Sequence, residues 1–139
     1  MNPVTVGEWM HRGVITCAPE TPIEEAAAIM DSQDISALVV VDENSDALGV
    51  ISRTDLVNAR FIKPYMKHWR GLNAQHLMSK PVISVAADVS VEEAVQLLYE
   101  KRIHRVVVVE KAGAHTRPVG ILSVTDLARH VGENTKLED

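Results

Sequence analysis

Apolar side chains form two kinds of pattern along this chain, continuous runs and positions spaced three or four residues apart. The runs at 35–41 and 103–109 are rich in β-branched residues and nearly uninterrupted. Such runs are typical of strands that are covered on both faces. Shorter runs that begin with glycine, at 49–51 and 120–122, follow them. We therefore predict two neighbouring strands in each half of the chain.

Helical spacing of apolar residues appears at 23–30 and again at 91–98. The first of these stretches follows Thr-Pro-Ile-Glu, which has the form of a capping box, so Thr21 is the predicted N-cap. In the second stretch Val89 occupies the position of Thr21, and we expect Ser90 to cap the helix instead.

The two halves repeat one another nearly end to end. The offset is 68 residues from Met10 to Met78 and 71 residues from Gly49 to Gly120. The three extra residues fall at 111–118, a polar segment with Gly and Pro, which we predict to be a turn that tolerates insertion. Each repeat then contains an extended segment, a helix, two strands and a second helix.

Composition excludes several classes of function. The 139-residue chain has a net charge of −5, which argues against binding to the phosphate backbone of a nucleic acid. The longest apolar run is too short to span a membrane, and no secretory signal is visible, so we expect a cytoplasmic protein. The single cysteine, Cys17, is expected to be buried. The linker at 61–75 contains aromatic and basic residues, and we expect it to form a helix or strap.

The candidate chemistry lies where the second helix of each repeat should begin. The motif Ser-x-Thr-Asp occurs there twice, as Ser52, Thr54 and Asp55 and as Ser123, Thr125 and Asp126. A helix start favours anionic or polar ligands, and a carboxylate can accept both hydroxyls of a ribose. We also expect the preceding glycine to let a ligand approach the backbone. The alternative is that Ser and Asp only cap the helix.

Two repeats that each end in Gly-h-h-Ser-x-Thr-Asp-Leu, where h is apolar, resemble a tandem pair of CBS domains, the Bateman module. The resemblance covers residues 8–131, with repeats at 8–60 and 76–131 joined by the linker. It implies an α/β fold of two β-α-β-β-α units related by a pseudo-two-fold axis, and pairing into a disc-shaped homodimer. It also implies regulation rather than catalysis, with AMP, ADP, ATP, NAD or S-adenosylmethionine as the ligand.

The resemblance implies two clefts between the repeats. The first would combine Ser52, Arg53, Thr54 and Asp55 with Ile83, Ile103, His104 and Arg105. The second would combine Ser123, Thr125 and Asp126 with Ile15, Ile35, Ser36 and Ala37. The aspartates would hold the ribose, the hydroxyls would meet ribose or phosphate, and the four isoleucines would flank the adenine.

The basic residues are expected to make the clefts unequal. The pair His104-Arg105 is similar to phosphate-contacting pairs in the gamma subunit of AMP-activated protein kinase, and Arg53 adds charge, so the Asp55 cleft should favour the more phosphorylated ligand. The other cleft would need a cation from elsewhere, for which the candidates are Lys63, Lys67, His68 and Lys80. His104 and Arg105 could alternatively be solvated residues at a strand edge.

Neither enzyme motifs nor metal-ligand spacings occur in the sequence, so we expect no catalytic residue and no metal. Two functions remain open. The first is a sensor of adenosyl ligands that signals to an unknown protein in trans. The second is a constitutive dimerisation or scaffold protein whose Ser-x-Thr-Asp motifs only cap helices.

Overall fold

A computed structural model describes residues 3–62 and 71–134. The elements in chain order are α1 (Val6–Trp9), β1 (His11–Arg12), β2 (Thr16–Cys17), α2 (Ile23–Ser32), β3 (Ala37–Val41), β4 (Ala47–Ser52), α3 (Arg53–Phe61), α4 (Ala74–Leu77), β5 (Ser84–Ala86), α5 (Val91–Lys101), β6 (Arg105–Ala112), β7 (His115–Ser123) and α6 (Val124–Asn134). They form two compact units. We call Ile15–Val82 the Asp55 unit, and Met1–Val14 together with Ile83–Asp139 the Asp126 unit.

The sheet of the Asp55 unit has the strand order β2-β3-β4. Strand β2 is parallel to β3, and β4 is antiparallel to β3. Helix α2 connects the parallel pair, and α3 follows β4 directly. The predicted β-α-β-β-α order is therefore confirmed for the first repeat.

The sheet of the Asp126 unit has the order β1-β7-β6-β5. Its parallel pair β5-β6 and antiparallel pair β6-β7 repeat the arrangement of the Asp55 unit, and α6 follows β7. Strand β1 adds a fourth strand by pairing with β7, with His11 opposite Ile121. The second repeat thus has the same β-α-β-β-α order.

The central strands are buried along both faces, as their apolar runs predict. Residues 37–40 of β3 and 106–109 of β6 all lie below the surface. In the Asp55 unit the core comprises Cys17, Ala26, Met30, Leu38, Val40, Ile51 and Ala74. In the Asp126 unit it comprises Val6, Ala94, Leu98, Val106, Val108 and Leu122.

The segment around the start of each sequence repeat belongs to the compact unit that contains most of the other repeat. The N–H groups of Val6 and Gly7 donate to the carbonyls of Val89 and Ala87, both at 2.8 Å. The ring of Trp9 on α1 stacks on His130 of α6, with 4.1 Å between ring centroids. In the Asp55 unit, residues 73–79 make the corresponding contacts, among them two hydrogen bonds between the backbones of Ser79 and Val50. The compact units and the sequence repeats therefore differ in these segments.

Two local predictions are wrong. Pro22, not Thr21, is the N-cap of α2, because the Thr21 hydroxyl instead accepts a hydrogen bond from the Ala18 N–H at 3.1 Å. Residues 111–118 are mostly strand, and the extra residues lengthen the β6-β7 hairpin up to a tight turn at Gly113, whose φ is +63°. Ser90 does cap α5, since its hydroxyl accepts from the Glu93 N–H at 3.2 Å.

The predicted helix or strap at 61–75 falls largely on residues 63–70, which lie outside the described residues. Among the residues that the structure describes, no helix is long and apolar enough to cross a membrane.

Candidate functional site

The first Ser-x-Thr-Asp motif forms the start of α3, with Ser52 as its N-cap. Both the N–H and the hydroxyl of Ser52 donate to Oδ2 of Asp55, at 2.8 and 3.0 Å. The Asp55 N–H donates back to the Ser52 Oγ at 3.2 Å. One carboxylate oxygen of Asp55 is therefore used to cap the helix, as the capping interpretation requires.

The second motif reproduces this geometry at the start of α6. The N–H and hydroxyl of Ser123 donate to Oδ2 of Asp126, both at 2.9 Å, and the Asp126 N–H donates to Ser123 Oγ at 3.2 Å. Asp126 is 8% exposed, the one charged residue counted as buried among the described residues. The two helix starts are thus copies of one another in geometry as well as in sequence.

The cap leaves a hydroxyl and a carboxylate oxygen outside it at both helix starts. Thr54 and Thr125 lie one residue before the aspartates, and both are exposed. The second carboxylate oxygen, Oδ1, takes no part in either cap. In Asp126 this oxygen lies 3.5 Å from the Nη1 atom of Arg129. The sequence analysis did not single out Arg129, although its i,i+3 spacing from Asp126 on a helix could have indicated the ion pair. Each motif can therefore cap its helix and still present a carboxylate oxygen and a hydroxyl.

Each helix start is joined to the beginning of the central strand in its own unit. The N–H of Arg53 donates to the Ser36 carbonyl, and the N–H of Val124 to the His104 carbonyl, both at 2.9 Å. In the antiparallel ladders Ala37 lies opposite Ser52, and Arg105 opposite Ser123. The structure therefore brings Arg105 next to the second motif, whereas the sequence-based expectation grouped Arg105 with Asp55.

The isoleucines that were expected to flank adenine are half-buried, and Ile35 and Ile103 directly precede the two residues whose carbonyls accept the helix-start hydrogen bonds. Ile15 and Ile35 pack against the core of the Asp55 unit, and Ile83 and Ile103 against that of the Asp126 unit. The two expected clefts combine residues of both units, and these combinations stay predictions.

The expected role of the glycine before each motif is wrong. A Cβ atom at Gly49 would lie 2.6 Å from the Ser79 carbonyl oxygen, and one at Gly120 would lie 2.7 Å from that of His11. The protein itself, rather than a ligand, occupies the space beside each glycine. The glycines are needed because a neighbouring backbone segment passes at close range.

Arg53, the basic residue of the Asp55 motif, has other partners, and the basic residues named as candidates for the Asp126 cleft are exposed or not described. Arg53 donates from Nη2 to the Met30 carbonyl at 3.3 Å, and the same atom lies 3.6 Å from Oδ1 of Asp34. Lys80 is exposed, and the remaining candidates, Lys63, Lys67 and His68, lie outside the described residues. Within the described ranges, no group of three or more His, Cys, Asp or Glu residues could hold a metal ion.

A family model described as the CBS domain matches residues 6–61 and again 74–133. This chain belongs to the CBS domain family. The structure agrees, since it superposes on the CBS domain pair of protein MJ0100, in complex with 5′-methylthioadenosine and S-adenosyl-L-methionine, with a TM-score of 0.82 and 25% identity. That match covers 96% of this chain and 99% of the other. The fold expected from the repeated motif is confirmed.

Other CBS proteins are similar over most of the chain. The structure of CBSX2 in complex with AMP has a TM-score of 0.77 and 25% identity, and the match covers 95% of this chain and 98% of that one. The uncharacterized protein MK0525 of Methanopyrus kandleri is 35% identical over 91% of this chain. An inosine-5′-monophosphate dehydrogenase of Halobacterium salinarum is 34% identical over 71% of it. The aligned region spans 62% of MK0525 and 19% of the dehydrogenase.

Proposed function

We propose that this chain is a regulatory module that binds an adenosyl ligand at its two Ser-x-Thr-Asp motifs and does not catalyse a reaction. The observation that carries the proposal is the duplicated helix start, in which Oδ2 of each aspartate completes the cap and Oδ1 takes no part in it. Two CBS domain structures similar to this one hold 5′-methylthioadenosine and S-adenosyl-L-methionine, or AMP. These ligands have an adenosine group in common, which matches the ribose-binding role that we give to the aspartates.

The proposed contacts follow from the groups that each residue presents. Oδ1 of Asp55 and of Asp126 accepts hydrogen bonds from the ribose hydroxyls, which are charge-assisted and therefore strong. The hydroxyls of the two motifs contact ribose or phosphate, and the four isoleucines contact the adenine. The full set is Ser52, Arg53, Thr54, Asp55, Ile83, Ile103, His104, Arg105, Ile15, Ile35, Ser36, Ala37, Ser123, Thr125 and Asp126.

The ligand belongs, in this proposal, to the group AMP, ADP, ATP, NAD and S-adenosylmethionine, and it acts as a regulator rather than as a cofactor. Ligand binding favours one arrangement of the protein over another, and a second protein in the cytoplasm responds to the change. In this proposal the output acts in trans, through that second protein.

A homodimer is the assembly that we propose, and exposed apolar side chains on the helices after the motifs support it. Val57 and Phe61 on α3 are 51% and 66% exposed, and Val131 on α6 is 65% exposed. Large apolar residues at such exposure are candidates for contact with a second copy.

The scaffold function is the second candidate, and the complete capping boxes at Ser52 and Ser123 favour it. A thermal-shift screen with AMP, ADP, ATP, NAD, NADH and S-adenosylmethionine separates the two functions. A ligand at 100 times its dissociation constant stabilises the fold by about 2.7 kcal/mol. We expect at least one compound to raise the melting temperature.

The double variant Asp55→Asn, Asp126→Asn should lose that shift, because asparagine keeps an acceptor oxygen for the cap but removes the charge offered to the ribose. The matched control is Ser90→Ala, which removes a helix cap outside the motifs. It should lower the melting temperature and keep the ligand-induced shift. If no compound shifts wild-type protein that is folded and free of nucleotide, the scaffold function is the correct one.

A further inference from the structure

The two Ser-x-Thr-Asp motifs have the same geometry but differently charged surroundings. Ser36 in one unit and His104 in the other are equivalent positions, because the carbonyl of each accepts a hydrogen bond from the first N–H of the helix that follows the motif serine. Two residues earlier, Asp34 and Arg102 both have left-handed backbones, with φ of 52° and 55°. An aspartate in one unit thus corresponds to an arginine in the other.

Arg105 supplies the second charge difference. It lies directly opposite Ser123 in the β6-β7 ladder, so the two side chains leave the same face of the sheet with Cβ atoms about 4.5 to 5.5 Å apart. The Ser123 hydroxyl in turn contacts Asp126 at 2.9 Å. This places the cationic side chain of Arg105 beside the motif. The equivalent residue in the Asp55 unit is Ala37, which is buried and uncharged.

Arg129 supplies the third difference. Its Nη1 atom lies 3.5 Å from Oδ1 of Asp126, so the charge of that carboxylate is offset before a ligand arrives. The equivalent residue after Asp55 is Asn58. Within residues 3–62 and 71–134, no lysine or arginine forms an ion pair with Asp55. An anionic group approaching Asp55 would therefore meet an unbalanced negative charge.

The one cation of the first motif, Arg53, does not change this balance. Its guanidinium is held at the C-terminal end of α2 by the Met30 carbonyl and lies 3.6 Å from Asp34. A cation is stabilised at a helix C-terminus, and Asp34 offsets its charge. Among the described residues, the charges of Arg53 and Asp34 beside the Asp55 motif thus offset one another, whereas Arg105 and Arg129 lie beside the Asp126 motif and Arg102 takes the position of Asp34.

We propose that the two motifs select different classes of adenosyl ligand. The Asp126 motif takes a ligand with a 5′-phosphate, and the Asp55 motif takes an uncharged or cationic adenosyl ligand without phosphate. This inference rests on the proposed function, and it reverses the sequence-based expectation that the Asp55 cleft holds the more phosphorylated ligand. The physical reason is that charge-assisted hydrogen bonds to phosphate need a nearby cation, and the structure places Arg105 and Arg129 beside Asp126.

Calorimetric titration with AMP and with adenosine tests the inference one motif at a time. The variant Asp55→Asn leaves the Asp126 motif intact, and Asp126→Asn leaves the Asp55 motif intact. We expect AMP to bind at least tenfold more tightly than adenosine in the first variant, and no more tightly than adenosine in the second.

Adding Arg105→Ala to Asp55→Asn should remove most of the preference for AMP over adenosine. The control Arg117→Ala removes the same charge from an exposed position on β7, about 20 Å along the strand from Ser123, and should keep the preference. An equal preference for AMP in both single-motif variants, or a stronger one in Asp126→Asn, would overturn the inference while leaving the proposed function in place. Absence of any binding by the wild type would overturn both.

Discussion

Replacing Gly120 with alanine should destabilise the protein because the structure leaves no room for a Cβ atom there. That atom would lie 2.7 Å from the His11 carbonyl oxygen and 2.7 Å from the Sδ atom of Met10. The Met10 side chain can move aside, but the His11 carbonyl belongs to β1, which pairs with β7. The backbone of β1 must therefore shift. Overpacking of this kind costs about 1 to 3 kcal/mol, and we expect a value near 2 kcal/mol.

Gly132→Ala is the matched control for this prediction. Gly132 lies in α6, and a Cβ atom there would meet no heavy atom within 4 Å. Alanine is a better helix former than glycine by about 0.5 to 1 kcal/mol, so the same substitution should stabilise the protein at this position.

Equilibrium unfolding in urea, followed by far-ultraviolet circular dichroism, measures both variants. We expect the free energies of unfolding of Gly120→Ala and Gly132→Ala to differ by about 3 kcal/mol, with opposite signs relative to the wild type. A Gly120→Ala variant as stable as the wild type would show that β1 does not pass this close to Gly120. The account of the glycine as a packing residue would then be wrong.

Three further predictions concern the cores and caps. Met30 is fully buried, so Met30→Ala should lower the free energy of unfolding by about 2 to 5 kcal/mol in urea titrations; a loss below this range would contradict the tight packing around it. Ser90→Ala should cost about 1 kcal/mol in the same assay, because the Glu93 N–H loses its cap, and an unchanged stability would contradict the capping role. Burial raises the pKa of the Cys17 thiol, with a smaller opposing effect from its hydrogen bond to Thr21, so iodoacetamide should alkylate the native protein more slowly than the unfolded one. Equal alkylation rates in the native and unfolded protein would show that Cys17 is accessible. The free energy of unfolding should also fall as the pH rises through the ordinary thiol range, because the thiol of the unfolded protein ionises first.

The repeat and its element order could be predicted because they depend on local patterns. Continuous β-branched runs are buried on both faces in β3 and β6, and Ser90 caps α5 through a contact only three residues away. Such features require no knowledge of distant residues. The α/β fold class follows from them, since a helix between two strands favours a parallel pair.

The incorrect predictions involve residues far apart in sequence. The N-cap of α2 shifts to Pro22, and the first N–H of the helix, at Ile23, donates to the Leu72 carbonyl nearly fifty residues away. The space beside Gly120 is filled by His11 from the start of the chain. Neither partner has a sequence pattern that indicates its distant contact.

The candidate site was only partly predictable for the same reason. Ser52 and Asp55, like Ser123 and Asp126, are close in sequence, so their capping geometry could be anticipated. The position of Arg105 opposite Ser123 depends on the register between two strands and was missed. The charge around each motif follows from such registers, and the structure was needed to assign it.

A calorimetric titration of AMP into the wild type and into the double variant Asp55→Asn, Asp126→Asn tests the central claim most directly. Circular dichroism should first show that both proteins are equally folded. The account predicts saturable binding by the wild type and an affinity at least tenfold lower in the double variant, because the loss of a charge-assisted hydrogen bond is worth a factor of about ten or more. Equal affinity in the two proteins would show that adenosyl ligands do not bind through these aspartates.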